Sequence, residues 1–126
     1  MLNNTETFSS FAVRSLDEVR SFYAETLGLK TSESDMGLLN LHLAGDRNVM
    51  IYPKPDYIPA TFTVLNFRVT DLDAAVVWMT ARGVEFERYP EFEMDDKGIH
   101  REQNVAWFKD PAGNILAVML GPGEQG

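Results

Sequence analysis

The sequence contains no cysteine, which excludes several kinds of chemistry at once. Disulfide bonds, thiolate metal sites and a cysteine nucleophile all require that side chain. Histidine is nearly as scarce, because the chain of 126 residues has only two, His42 and His100. The two lie far apart in sequence and neither has a neighbouring pair of ligand residues. We therefore expect no metal site built on histidine and no bound cofactor.

Positive charge and long apolar runs are also scarce. Eleven lysines and arginines face 19 aspartates and glutamates, which gives a net charge of −8. So acidic a chain repels phosphate backbones and anionic lipids, which argues against a nucleic-acid or membrane partner. No apolar run approaches the roughly 20 residues that span a bilayer, and residues 1–7 do not resemble a signal peptide. We expect a cytoplasmic protein that forms one domain over residues 1–126.

The most informative feature that is present is an internal repeat. The stretch that begins at Phe11 reads FAVRSLDEVRSFYAETLGL, and the stretch that begins at Asn66 reads NFRVTDLDAAVVWMTARGVEF. An offset of 56 pairs apolar and acidic positions of the two copies, for example Asp17 with Asp73. Each copy reads as a strand followed by an amphipathic helix, since apolar residues recur at helical spacing after a β-rich run. The repeat predicts two similar modules.

The predicted elements follow the same order in both modules. Ser15 and Glu18 have the spacing of a capping box at the first helix, and Asp71 occupies the N-cap of the second. We place module one at about 6–53, a proline-rich linker at 54–60 and module two at about 61–121. The predicted strands are 8–13, 38–43 and 49–52 in the first module, and 62–69, 84–88, 105–109 and 115–120 in the second.

Three segments resemble motifs of the vicinal oxygen chelate superfamily, which includes glyoxalases, bleomycin-resistance proteins and extradiol dioxygenases. They are VRSLDEVRSFYAETLGL, VTDLDAAVVWMTARGVEF and WFKDPAGNILAV, and the resemblance spans roughly residues 8–120. It implies an α+β fold of two βαβββ modules in pseudo-twofold arrangement. The curved mixed sheets would form a cup with the helices outside. Family members often assemble as homodimers, so a homodimer is expected here.

The resemblance also locates the positions of the family's metal ligands. Its enzymes hold one divalent metal in the cup, where the metal chelates two adjacent substrate oxygens. The matching positions in this sequence are Phe8, Ile51, Val64 and Ala117. None of these side chains offers an atom that binds a divalent metal. The chain therefore resembles a member of the family that lacks the usual metal ligands.

These observations favour a metal-free domain that binds a small molecule, aromatic or anionic, in the cup. Alternation along the strands turns Ser10, Asn66 and Arg68 away from the helices. Arg68 suits an anion, whereas aromatic residues such as Trp107, Tyr57 and Phe92 suit a planar ligand. The predicted ligand-binding residues are Ser10, His42, Tyr52, Asn66, Arg68, Trp107 and Ala117.

Two other classes of function remain open from the sequence. One is a metal-dependent lyase, isomerase or dioxygenase that uses relocated ligands such as His42, His100 or Glu102. The other is a scaffold with no ligand that is kept for protein contacts. A surface salt bridge is the alternative role for Arg68, and a hydrogen-bonded strand residue is the alternative for His42. With only two histidines, the sequence does not predict a Ser-His-Asp arrangement.

Overall fold

The computed structural model describes residues 1–121, which form an α+β fold with two mixed sheets. The chain divides into two compact units, Met1–Ile58 and Pro59–Gly126. The boundary falls inside the proline-rich segment that was predicted to join the modules. No helix in the described range has the length and apolarity needed to cross a membrane.

The first unit contains a four-stranded sheet and one short helix. Its strands are β1 (Ser9–Val13), β2 (Lys30–Glu33), β3 (Leu39–Leu43) and β4 (Arg47–Pro53). Helix α1 (Leu16–Ser21) follows β1 and continues into a π-helical turn, Phe22–Thr26. The sheet order is β1-β4-β3-β2, in which β1 runs parallel to β4 and the other neighbours are antiparallel. This is the predicted βαβββ module.

One face of the first sheet forms the core of its unit. Phe11, Leu39 and Ile51 lie in one cross-strand row and are buried. The ring of Phe11 lies 6.2 Å from that of Tyr23, which comes from the turn after α1. The helix therefore covers this face, and the residues of the other parity point away from the helix, as alternation predicts.

The second unit contains a three-stranded sheet and a longer helix. Its elements are β5 (Thr63–Val69), α2 (Leu72–Ala81), β6 (Val105–Lys109) and β7 (Ile115–Leu120). The sheet order is β5-β7-β6, with β5 parallel and β6 antiparallel to β7. The register shifts between Thr63 and Leu65, so Val64 sits in a β-bulge.

Two strand predictions were wrong. The sequence did not predict β2, because this edge strand is short, polar and mostly exposed and so shows no apolar alternation. Conversely, the predicted strand at 84–88 is reduced to a single bridge between Phe86 and Phe108. The chain leaves the sheet beyond Glu87, whose N–H still donates to the Trp107 carbonyl oxygen at 2.7 Å.

The two helix caps differ from each other. Asp71 caps α2 as predicted, and its carboxylate accepts a hydrogen bond from the Ala74 N–H at 3.0 Å. Ser15 occupies the N-cap of α1, but its side chain makes no capping bond. Glu18 pairs with Arg14 at 3.2 Å instead, so the predicted capping box is not formed.

The turn between β6 and β7 is fixed by one buried carboxylate. Asp110 Oδ1 accepts hydrogen bonds from the backbone N–H groups of Ala112 and Asn114, at 3.0 and 2.9 Å. Gly113 adopts a φ of +93°, which a side chain would strain. The turn therefore sets the register of β6 against β7, and with it the position of Ala117.

Candidate ligand-binding site

The face of the second sheet that points away from α2, which we call its open face, brings several predicted site residues into two neighbouring rows. Asn66, Ala117 and Trp107 are directly opposite one another across β5, β7 and β6. In the next row, Arg68 lies beside Met119. Asn66 and Arg68 are exposed, Trp107 is half-buried and Ala117 is fully buried. The three strands thus place polar side chains at one edge and an aromatic ring at the other.

Four rings, Tyr89, Phe92, His100 and Trp107, pack together beside this row, and we call them the aromatic cluster. Phe92 stacks on Trp107 with ring centroids 5.2 Å apart and an interplanar angle of 20°. His100 lies nearly parallel to Trp107 at 6.1 Å, and Tyr89 meets Trp107 edge-on at 5.5 Å. Phe92 remains 37% exposed. Aromatic faces in such an arrangement can stack on a planar ligand.

The segment that carries most of the cluster is held by hydrogen bonds and not by a strand ladder. Arg88 donates to the backbone carbonyl oxygens of Asp95 and Asp96, both at 2.9 Å. Asp95 Oδ1 accepts from the N–H groups of Lys97 and Ile99, also at 2.9 Å each. Ile99 is fully buried. The charged segment is therefore folded back on itself, which orients the rings at either end of it.

Arg101 ties this segment to the start of α2. Its guanidinium donates to Asp95 Oδ2 at 2.7 Å and to both oxygens of Asp73, at 2.6 and 2.9 Å. These hydrogen bonds, with a smaller contribution from Lys97, lower the pKa of Asp73 from 3.8 to about 2. Because the folded pKa lies below the unfolded one, the ion pair stabilises the fold above pH 3.8, and the stabilisation is lost as pH falls towards 2.

We expect this contribution to appear in the acid unfolding of the protein. The thermal midpoint of wild type should exceed that of Asp73→Asn near neutral pH, and the gap should shrink between pH 3.8 and about 2. Asp35→Asn, at an exposed acid with no ion pair among residues 1–121, is the matched control and should show no such trend. A gap between wild type and Asp73→Asn that stays constant with pH would contradict the assignment.

The Tyr89 hydroxyl is a buried polar atom with no hydrogen-bond partner among the described residues. Burial, with the nearby charges of Glu87 and Glu91, raises the pKa of Tyr89 above 10. The group therefore stays a neutral phenol that can donate a hydrogen bond. Leaving such a group unpaired costs free energy, and unsatisfied groups in native structures are often functional. Tyr89 was not predicted as a site residue, because the segment around it follows no strand or helix period.

Arg68 has no ion pair among residues 1–121, so the salt bridge weighed as its alternative role is not found there. Its strand and that of Trp107 flank β7, two strand spacings or about 10 Å apart. A free guanidinium forms paired hydrogen bonds with a carboxylate. This face thus combines an aromatic surface with a separate positively charged group.

The expected metal-ligand positions do not fit a metal. Phe8 precedes β1 and is 65% exposed, and Val64 lies in the bulge of β5. Ala117 and Ile51 are fully buried. Within residues 1–121, no group of three or more His, Asp or Glu side chains is placed to hold a metal ion. The relocated ligand set weighed as an alternative is therefore not assembled in this range.

Ile51, the metal-ligand position that the repeat alignment gave for the first sheet, is one residue too far along the chain. Ala117 pairs with Asn66, and the repeat equivalent of Asn66 is Ser10, which pairs with Met50. The counterpart of Ala117 in the first sheet is therefore Met50 and not Ile51. A thioether is a soft ligand that suits hard divalent metals poorly, so the correction does not restore a metal site.

The remaining predicted residues share the open face of the first sheet. Ser10 pairs with Met50 in the ladder, and Tyr52 pairs with Ala12. His42 hydrogen-bonds on both sides, to Ser32 Oγ at 2.6 Å and to Asn48 Oδ1 at 3.1 Å. The seven predicted residues thus fall into two sets, three in the first unit and four in the second. Each set lies on the face that points away from the helix of its own unit.

The two mixed sheets have the topology of a glyoxalase-like protein. An Asp-Pro-x-Gly-Asn turn before the last strand is also typical of this class. The chain belongs to the Glyoxalase/Bleomycin resistance protein/Dioxygenase superfamily, whose family model matches residues 7–118. No individually curated protein matched the sequence significantly.

Solved structures of other proteins share this fold. One is TnmS3, an antibiotic binding protein from Streptomyces sp. CB03234, with a TM-score of 0.64, 22% identity, and coverage of 93% of this chain and 97% of that one. Another is the fosfomycin resistance protein FosX from Listeria monocytogenes, with a TM-score of 0.69 and 15% identity. The match covers 97% of this chain and 95% of that one. A third is lactoylglutathione lyase from Agrobacterium tumefaciens, with a TM-score of 0.64, 20% identity and coverage of 94% of each chain. At these identities the likeness establishes the fold alone.

Proposed function

We propose that this protein binds a small planar aromatic anion, without a metal, on the open face of its second sheet. The observation that carries the proposal is the position of the aromatic cluster. Trp107 lies directly opposite Ala117, the position at which the family's enzymes carry a metal-binding carboxylate. An aromatic surface on which a ligand can stack therefore lies beside the position where the metal-binding carboxylate is replaced by alanine.

The spacing of the site indicates the size of the ligand. Trp107 and Arg68 come from strands about 10 Å apart, so one benzene ring stacked on Trp107 would leave its carboxylate short of the guanidinium. Two fused rings bridge the distance better. Asn66, in the row of Trp107, supplies a further hydrogen bond. We therefore favour a bicyclic aromatic acid over a benzoate.

The relatives are consistent with binding as the primary role. TnmS3 is described as an antibiotic binding protein and FosX as a fosfomycin resistance protein. Of the two descriptions, that of TnmS3 names binding. The proposal extends that property to this chain, as a binder that acts in the cytoplasm and forms a homodimer. Light scattering on the purified protein tests the dimer separately.

Fluorescence of Trp107 tests the proposal. The chain has two tryptophans, so Trp78→Phe leaves Trp107 as the only one. We expect saturable quenching by 2-naphthoate, with weaker binding of benzoate, which is too short, and of neutral 2-naphthamide, which cannot pair with Arg68. The same compounds should raise the thermal midpoint in the same order. The absence of saturable quenching and of a thermal shift with all three compounds would overturn the proposal.

A further inference from the structure

We propose that Ser32, His42 and Asn48 form a nucleophilic site that hydrolyses activated carboxylic esters. The three side chains make a continuous chain of hydrogen bonds in the first unit. Ser32 Oγ lies 2.6 Å from His42 Nε2, and His42 Nδ1 lies 3.1 Å from Asn48 Oδ1. Both distances are within the range of a nucleophile, its base and the group that orients the base.

The hydrogen bonds fix the direction in which a proton can move. The amide oxygen of Asn48 can only accept, so His42 Nδ1 carries the proton and donates it to that oxygen. In the neutral ring Nε2 is then unprotonated and accepts a hydrogen bond from the Ser32 hydroxyl. This is the tautomer that a general base for serine requires.

The sheet holds the three groups in place while leaving them accessible. Ser32, His42 and Asn48 belong to β2, β3 and β4, which are neighbours in the sheet. His42 is directly opposite Asn48 on one side and Lys30 on the other. Ser32 and Asn48 are exposed and His42 is half-buried. An ester in solution can therefore reach the serine hydroxyl.

The reaction follows from this arrangement. Ser32 Oγ forms a bond to the ester carbonyl carbon as its proton passes to His42 Nε2. The C–O bond to the alcohol then breaks, and the alcohol leaves with that proton. Water attacks the acyl-serine with His42 again as the base, which releases the carboxylic acid and restores the serine. No oxidant or metal takes part, and water is the only co-reactant.

Lys30 defines the class of ester. It shares the face and the strand of Ser32, two residues away, and so adds a positive charge on the side of the sheet where the oxyanion develops. A single exposed cation stabilises an oxyanion less than a set of buried N–H donors. The site is therefore suited to esters whose leaving group is already good, such as phenyl esters.

The test uses p-nitrophenyl acetate as the probe. We expect steady release of nitrophenolate, and an acetyl group on Ser32 detected by mass spectrometry after acid quench. Ser32→Ala and His42→Gln should each lower the rate by about 100-fold. Ser9→Ala, at an exposed serine of β1 that has no histidine partner in the described range, is the matched control and should keep the rate. Equal thermal midpoints establish that the variants are folded.

Two results would overturn the inference. One is a Ser32→Ala protein that hydrolyses the ester at the wild-type rate, and the other is acetylation confined to lysines or to His42. In either case the hydrogen bonds serve only to pin edge strand β2. The site lies in the other unit from the proposed ligand-binding face, so its failure leaves that proposal untouched.

Asn48 is a positioning residue, and the pH profile tests its role. A carboxylate beside His42 stabilises the imidazolium, so Asn48→Asp should move the acid limb of the rate profile to higher pH. Asn48→Ala should lower the rate without that displacement. An acid limb that stays in place in Asn48→Asp would show that Asn48 does not orient the base.

Discussion

Trp107→Ala is expected to weaken the binding of 2-naphthoate by at least about 30-fold, or about 2 kcal/mol. The substitution removes the ring that Phe92 stacks on and that Tyr89 and His100 contact, so the whole stacking surface is lost. Isothermal titration calorimetry measures the change without relying on tryptophan emission. Trp107→Phe keeps an aromatic face and should retain part of the affinity.

Trp78→Ala provides the matched control. Trp78 is also in the second unit, but it is 47% exposed on α2 and its ring contacts Arg82 at 4.4 Å. Its removal should leave the affinity for 2-naphthoate unchanged. If Trp107→Ala binds as tightly as wild type, or if both alanine variants lose affinity equally, the aromatic cluster is not the binding surface.

Gly98→Ala is expected to lower the free energy of unfolding by about 2–4 kcal/mol. Gly98 is buried with a φ of +91°, and a Cβ atom there would lie 2.8 Å from Cβ of Phe86. The variant therefore combines backbone strain with a steric clash. The clash falls in the segment between Phe92 and His100, so ligand affinity should fall as well. Chemical denaturation measures the stability change.

Gly83→Ala separates the two causes. Gly83 has nearly the same φ, +92°, but nothing lies within 4 Å of the Cβ position. It should cost only the strain of the left-handed backbone, about 1–2 kcal/mol, and leave binding intact. Equal losses in the two variants would show that the contact with Phe86 relaxes at no cost.

The sequence predicted the elements that have strong apolar periodicity. Strands β6 and β7 begin and end where predicted, and the repeat correctly predicted a strand followed by a helix at the start of both units. The prediction from sequence was wrong where tertiary contacts, and not the local apolar pattern, determine the structure. Strand β2 is polar because it lies at a sheet edge, and the segment after α2 is held by Arg88, Asp95 and Arg101 instead of a ladder.

The site was predictable in part for the same reason. Alternation correctly placed Ser10, Asn66 and Arg68 on the face away from the helix, because a strand fixes that parity. Alternation did not predict the position of Tyr89, because this residue lies in the irregular segment between α2 and β6. The contact of His42 with Ser32 was also not predicted, because it joins an edge strand that the sequence did not reveal.

Binding of 2-naphthoate measured with and without metal tests whether the protein recognises its ligand independently of a metal ion. The protein is first stripped with a chelator and then titrated by calorimetry, alone and after addition of zinc, nickel, manganese or ferrous iron. We expect the same affinity in every case, with far less than one equivalent of metal retained after dialysis. Binding that appears only when about one equivalent of metal is bound would contradict it.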